Sequence, residues 1–133
     1  GAGLVSSRIQ AAVASGAQTD FLSERNRLIS AEPEAGRIWR KFMGGSQDDK
    51  PETYRLASPR AHLDAGDPPV AFMTGELDGS STHADDFREA ATKLGISTRL
   101  MVIEGEGHNY NRDAESFDLS ITWAARFLHE NLK

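Results

Sequence analysis

The chain has no cysteine among its 133 residues. That excludes disulfides, a thiol nucleophile and any cysteine-ligated metal, and it leaves the cellular compartment open. Positive charge is also scarce. Twenty acidic residues stand against 15 Lys and Arg, a net charge of −5, and no basic run offsets it. A nucleic-acid surface is therefore not expected. No apolar stretch approaches the roughly 20 residues that a membrane span requires, so none is expected. The first residues show no signal-peptide pattern. There is no internal repeat or low-complexity tract, and His62, His83 and His129 lack ligand spacing, so no metal or cofactor is expected.

What remains is an ordinary globular composition. The chain is 38% apolar and 26% charged, too apolar for disorder. Residues 1–133 suit one α/β domain large enough for a real core.

The chemistry concentrates in residues 68–110. Pro68-Pro69 precede the apolar run Val70-Ala71-Phe72-Met73-Thr74, which stops at Gly75. So short a run predicts a buried strand over 69–74. Asp78 follows in a loop. Residues 82–94 carry Ala84, Phe87, Ala91 and Leu94 on one helical stripe, with Thr82 placed to cap and Gly95 to terminate. A further strand over 98–103 leads into Gly105-Glu106-Gly107-His108. A strand, helix and strand in this order predict parallel pairing. Asp78 and His108 then lie just past the carboxyl ends of neighbouring strands, where open α/β sheets build their sites. An acid there can accept a hydrogen bond from the imidazole, fix its tautomer and leave the other nitrogen as a general base. Glu76, Glu104 and Glu106 are rival acids in the same loops. The bland alternatives are a turn-forming aspartate and an ordinary loop histidine; the pairing across adjacent strands favours the acid–base reading.

Elsewhere the pattern is looser. Gly1 to Ser7 read as a helix tail or a cloning remnant, and 9–14 as the first of about three parallel strands, closed by Ser15-Gly16. Residues 22–59 form an irregular excursion, either a surface connection or a cap facing the substrate. Within it, Pro33 starts a short helix that runs through Met43, with Ile38, Trp39, Phe42 and Met43 on its apolar face and Gly44-Gly45 ending it. Ser58 suits a turn or a backbone cap. The last helix runs from a cap at Asp113 to about Leu132, with Phe117, Ile121, Ala124 and Leu128 facing the sheet and Trp123 and Phe127 widening that stripe.

These segments together resemble the C-terminal half of an α/β-hydrolase of the esterase and lipase-like type, a group that includes feruloyl-esterase-like enzymes and prolyl-oligopeptidase catalytic domains. Ala11-Ala-Val-Ala-Ser-Gly-Ala-Gln-Thr-Asp-Phe21 is similar to the strand and turn after the family's nucleophile helix. Phe42-Met-Gly-Gly45 followed by Tyr54-Arg-Leu-Ala-Ser-Pro59 is similar to another family run, and Gly105-Glu-Gly-His-Asn-Tyr110 to its histidine loop. Pro68-Pro69 to Asp78 resembles the acid turn, with Thr74 where the family often has His and Gly79-Ser-Ser-Thr82 in place of the usual Val-Pro. The resemblance implies that Asp78 is the triad acid and His108 the base of a serine ester hydrolase acting on a small-molecule ester.

No Gly-x-Ser-x-Gly elbow occurs in the 133 residues, and Ser6 and Ser7 lack the flanking glycines. The nucleophile and the oxyanion loop are therefore expected on a segment upstream, and the chain alone is expected to be inert. The alternative reading is a non-catalytic assembly module on the same scaffold, associating as a homodimer through the edge of the first strand.

Overall fold

A computed structural model describes residues 8–132; the helix tail or remnant read at residues 1–7 lies outside them. A three-stranded parallel sheet runs in the order β1 (Ala12–Ser15), β2 (Val70–Gly75), β3 (Thr98–Ile103). Between β1 and β2 lie three short helices, α1 (Glu24–Ala31), α2 (Arg37–Met43) and α3 (Pro51–Ala57). Helix α4 (Asp85–Lys93) joins β2 to β3, and α5 (Ala114–Asn131) closes the chain. None of the described helices is long and apolar enough to cross a membrane.

The central strand β2 is covered on both faces, so its run from Val70 to Met73 is apolar rather than alternating. Phe72 points to one face, where it meets Phe87, Ala84, Ala91 and Ile96; the Phe72 and Phe87 rings meet edge-on at 5.3 Å. Met73 points to the other, onto Ile103 and Tyr110, with Trp123 and Ala124 of α5 packed alongside. The prolines set where pairing begins. Neither Pro68 nor Pro69 has an N–H to give a neighbour, so β2 starts at Val70, one residue later than expected. Ala12 is paired with Val70 and donates to the Pro69 carbonyl at 3.0 Å. β1 therefore begins at Ala12 instead of residue 9 and extends to Ser15, leaving Ile9 64% exposed.

Three helix expectations are corrected. Thr82 does not cap α4: it lies in a 3-10 turn, Ser80–His83, where its hydroxyl serves the Gly79 carbonyl and the Thr74 hydroxyl, and α4 starts later, after Ala84 at φ 54°. Gly95 does end the helix. At φ +79° it lets its own N–H reach the Thr92 carbonyl and the Ile96 N–H reach that of Ala91. In α5, Asp113 caps as expected, accepting from the Ser116 N–H at 2.8 Å. The buried face is rotated, however. Phe127, expected at the margin of the stripe, is buried together with Ser116 and Ser120, and Phe117 and Ile121 are half exposed at 45% and 50%. Ser120 can be buried because its hydroxyl donates to the Phe117 carbonyl, which removes the desolvation cost.

The third correction concerns the excursion. Its helix starts at Arg37, not at Pro33, which sits in the preceding turn. Only Met43 of α2 is buried; Ile38 and Phe42 are 71% and 79% exposed. Arg40 ties α2 back to α1 by donating to the Ser30, Glu32 and Pro33 carbonyls. Helix α1 was missed because its buried side chains, Asn26 and Ser30, are polar and leave no apolar stripe. Gly44, left-handed at φ 82°, ends α2 as expected.

The rotation of α5 is testable. Phe127→Ala should cost about 3–5 kcal/mol by cavity formation, whereas Ile121→Ala should change stability by less than about 1 kcal/mol. Urea midpoints that rank the two in the opposite order would refute the observed packing face.

Candidate functional site

The β2–β3 register, Val70 opposite Thr98 through Gly75 opposite Ile103, brings both strands to a common level at their carboxyl ends. The two loops that leave there are tied backbone to backbone. Glu76 N–H donates to the Ile103 carbonyl at 2.9 Å, and Leu77 N–H to the Glu106 carbonyl at 2.8 Å. In return, Gly105 N–H donates to the Glu76 carboxylate at 2.8 Å. Gly75 permits this contact, since a Cβ there would lie 2.3 Å from the Glu106 carbonyl oxygen and 2.4 Å from that of Gly107. The sequence marks Gly75 as a strand end; its role in the loop contact was not read from it.

Held this way, His108 Nδ1 and Asp78 Oδ2 are 2.8 Å apart, with Nδ1–H donating. The second carboxylate oxygen, Oδ1, accepts from the Gly79 N–H at 2.7 Å. Asp78 is 12% exposed and His108 62%. Burial acts to raise the Asp78 pKa, but the hydrogen bonds from His108 and the Gly79 N–H outweigh it and hold the carboxyl below its ordinary range. With Nδ1 carrying the proton shared with Asp78, Nε2 of the neutral ring is left as a proton acceptor.

Beneath the acid turn, Thr74 and Thr82 form a buried pair with hydroxyl oxygens 2.6 Å apart. Thr82 donates onward to the Gly79 carbonyl at 2.8 Å, so its proton is used, and Thr74 supplies the proton between them. The pair fastens the acid turn to β2, and the sequence shows it only as a departure from the usual histidine at Thr74.

The rival acids are occupied elsewhere or stand apart. Glu76 binds Gly105, Glu106 accepts from the Ser116 hydroxyl at 3.0 Å, and Glu104 is exposed. Among the described residues no hydroxyl side chain hydrogen-bonds to His108, and no group of three or more His, Asp or Glu could hold a metal ion. Ser15 is engaged with the Tyr110 hydroxyl. Ser58 accepts from the Phe21 N–H at 2.8 Å, the backbone-capping use expected of it. Trp39 packs edge-on against Phe21 at 5.1 Å. A cleft of about 290 Å³ beside the acid turn is lined by Thr19, Arg25, Asn26 and Ser81 among others, and neither Asp78 nor His108 lines it.

No family model matches this sequence, and no curated protein does. Solved structures do match. The propionate-bound thermophilic esterase of Thermogutta terrifontis is 23% identical, with a TM-score of 0.64 over 95% of this chain and 44% of the esterase chain. The same enzyme's esterase 2 phosphonylated by sarin gives 0.68 at 21% identity, over 91% and 44%. Dipeptidyl peptidase 4 of Porphyromonas gingivalis gives 0.64 at 17% identity, over 92% of this chain and 16% of its own. The fold, three parallel strands flanked by helices, matches part of the α/β-hydrolase fold. The chain spans less than half the length of the esterase it resembles. In open α/β sheets ligands bind outside the carboxyl ends of the strands, the edge at which the loops carrying Asp78 and His108 lie.

Two outcomes check the geometry. The folded-state pKa of Asp78 is depressed, so its stabilisation is present above the ordinary aspartate value of about 3.9 and is lost as pH falls through the lower folded value. Stability measured by urea unfolding at stepped pH should therefore show wild type and Asp78→Asn converging below about pH 4; a gap undiminished in acid contradicts the pairing. Gly75→Ala should destabilise by about 3 kcal/mol or more, because the two loops cannot part without losing their mutual hydrogen bonds. A variant with wild-type stability would show that the loops do not touch at Gly75.

Proposed function

We propose that this chain supplies the acid and base of a serine ester hydrolase, with the serine and its oxyanion donors on a segment outside these 133 residues. The observation that carries the reading is the 2.8 Å hydrogen bond from His108 Nδ1 to Asp78 on the loops of adjacent parallel strands. His108 Nε2 takes the proton from the serine hydroxyl as its oxygen attacks the ester carbonyl. Asp78 stabilises the imidazolium that forms and keeps the ring in the productive tautomer. His108 then returns the proton to the departing alcohol oxygen, and the same exchange with water frees the acid. The propionate- and butyrate-bound forms of the Thermogutta esterase support a carboxylic ester as the substrate class. The excursion over 22–59 serves as the cap over this edge of the sheet.

The 133-residue chain alone should not hydrolyse p-nitrophenyl acetate or butyrate above background. A longer chain with a Gly-x-Ser-x-Gly elbow upstream should hydrolyse them and lose about 10⁴-fold or more in kcat on His108→Ala. Robust turnover by the 133-residue chain, abolished by His108→Ala, would refute the division of the triad.

A second reading rests on a separate observation. β1 is an edge strand whose outer side pairs with nothing among the described residues. As a non-catalytic module the chain would associate with a second copy along that edge. Light scattering should then show a dimer that Val13→Pro returns to monomer; a monomer at high concentration argues against it.

A further inference from the structure

We infer that Gly16, at the end of β1, is the positioning residue that sets the imidazole of His108 against Asp78. The inference rests on His108 being the base. Gly16 follows the last β1 pair, Ser15 with Met73, and its N–H is fixed on the Met73 carbonyl at 2.8 Å. Its φ is +55°, and a Cβ built on it would lie 2.9 Å from His108 Cε1, 3.2 Å from Nδ1 and 3.8 Å from Nε2. Non-bonded carbons rest about 3.5–4.0 Å apart, so a methyl group has no room there. The edge of the ring that would be struck is the one that carries the bond to Asp78. The imidazole is therefore bracketed by a carboxylate from the β2 loop and by bare backbone from the end of β1.

Conformation alone does not account for this glycine. Gly44, Gly95 and Gly105 also have positive φ, between +70° and +82°, yet nothing lies within 4 Å of a Cβ on any of them. Gly16 combines positive φ with a functional ring at contact. When a side chain is added, either the backbone or the ring must move. The backbone is held by the Met73 carbonyl, whereas His108 is 62% exposed and can swing toward solvent for the loss of one hydrogen bond. The ring moves.

The test is ¹⁵N NMR of the His108 imidazole in the 133-residue chain, which reports which ring nitrogen carries the proton. Wild type should show Nδ1–H. Gly16→Ala should lose that signature and match Asp78→Asn. Gly16→Asn should do the same, because asparagine tolerates positive φ but still brings a Cβ. Gly95→Ala, which strains φ in open space, should leave the His108 signals unchanged. Wild-type His108 signals in folded Gly16→Ala or Gly16→Asn would overturn the inference. So would a Gly95→Ala that disturbs His108 equally, or unfolding of both Gly16 variants while Gly95→Ala stays folded, since the backbone would then be what yields. The readout is the ring and not turnover, so a longer chain that proves inactive would sink the hydrolase reading and leave this result standing.

Discussion

The parallel register of β2 on β3 is the constraint on which the rest of the molecule depends. It places Gly75 level with Ile103, and the acid and histidine loops leave from those two positions. A slip of one residue moves a strand by about 3.3 Å along its axis, which exceeds the whole 2.8 Å span between His108 and Asp78. The same slip would turn Phe72 and Met73 to the wrong faces of the sheet. The two faces of the core thus set the geometry of the site. Packing Phe72 onto α4 and Met73 beneath α5 fixes the register, and the register fixes which side chains meet at the sheet edge.

Within that frame, the loops are held by groups that have no chemistry of their own. Gly75 allows two carbonyls to approach where a methyl would stand, and the Thr74–Thr82 pair fastens the acid turn from below. Asp78 keeps a net depressed pKa even though burial opposes it, because each of its oxygens has a donor. A carboxylate so arranged favours the charged form that an imidazolium needs beside it. It also leaves His108 exposed enough for a second group to reach Nε2.

Much of this was legible in the sequence, and what was not has a common cause. The strands over 69–74 and 98–103 were marked by short apolar runs with glycine after them, and the ends of α4 and α5 by Gly95 and Asp113, because each is a local signal. The meeting of Asp78 and His108 followed from strand order alone. The failures arise where polar side chains take the buried positions. Ser116 and Ser120 take the inner face of α5, and Asn26 and Ser30 that of α1, while Phe117, Ile121, Ile38 and Phe42 stand outside. Counting apolar residues at helical spacing finds the largest stripe and has no means of knowing that a serine hydroxyl will donate to a carbonyl three residues back. The loop contacts of Gly75 were hidden for a different reason: they depend on where a distant carbonyl lies.

The division of the fold follows from these contacts. The Asp78–His108 bond, the loop-to-loop hydrogen bonds and the threonine pair all lie within residues 74–108, inside one strand–helix–strand unit and the loop after it. None of those bonds comes from α2 or α3, whose ties are their own, such as Arg40 on the α1–α2 turn and the Tyr54 hydroxyl on the Gly45 carbonyl, whereas α1 reaches the acid turn where Arg25 donates to the Ser81 hydroxyl at 3.1 Å. The Asp78–His108 pair is therefore preorganised mainly by short-range pairing, with β1 reaching it beside His108, Gln18 and Arg25 reaching the acid turn at Ser81, and Ser116 of α5 reaching the histidine loop at Glu106. Change within α2 and α3 leaves those contacts in place, whereas change at Arg25, at Ser116 or at the ends of the three strands does not.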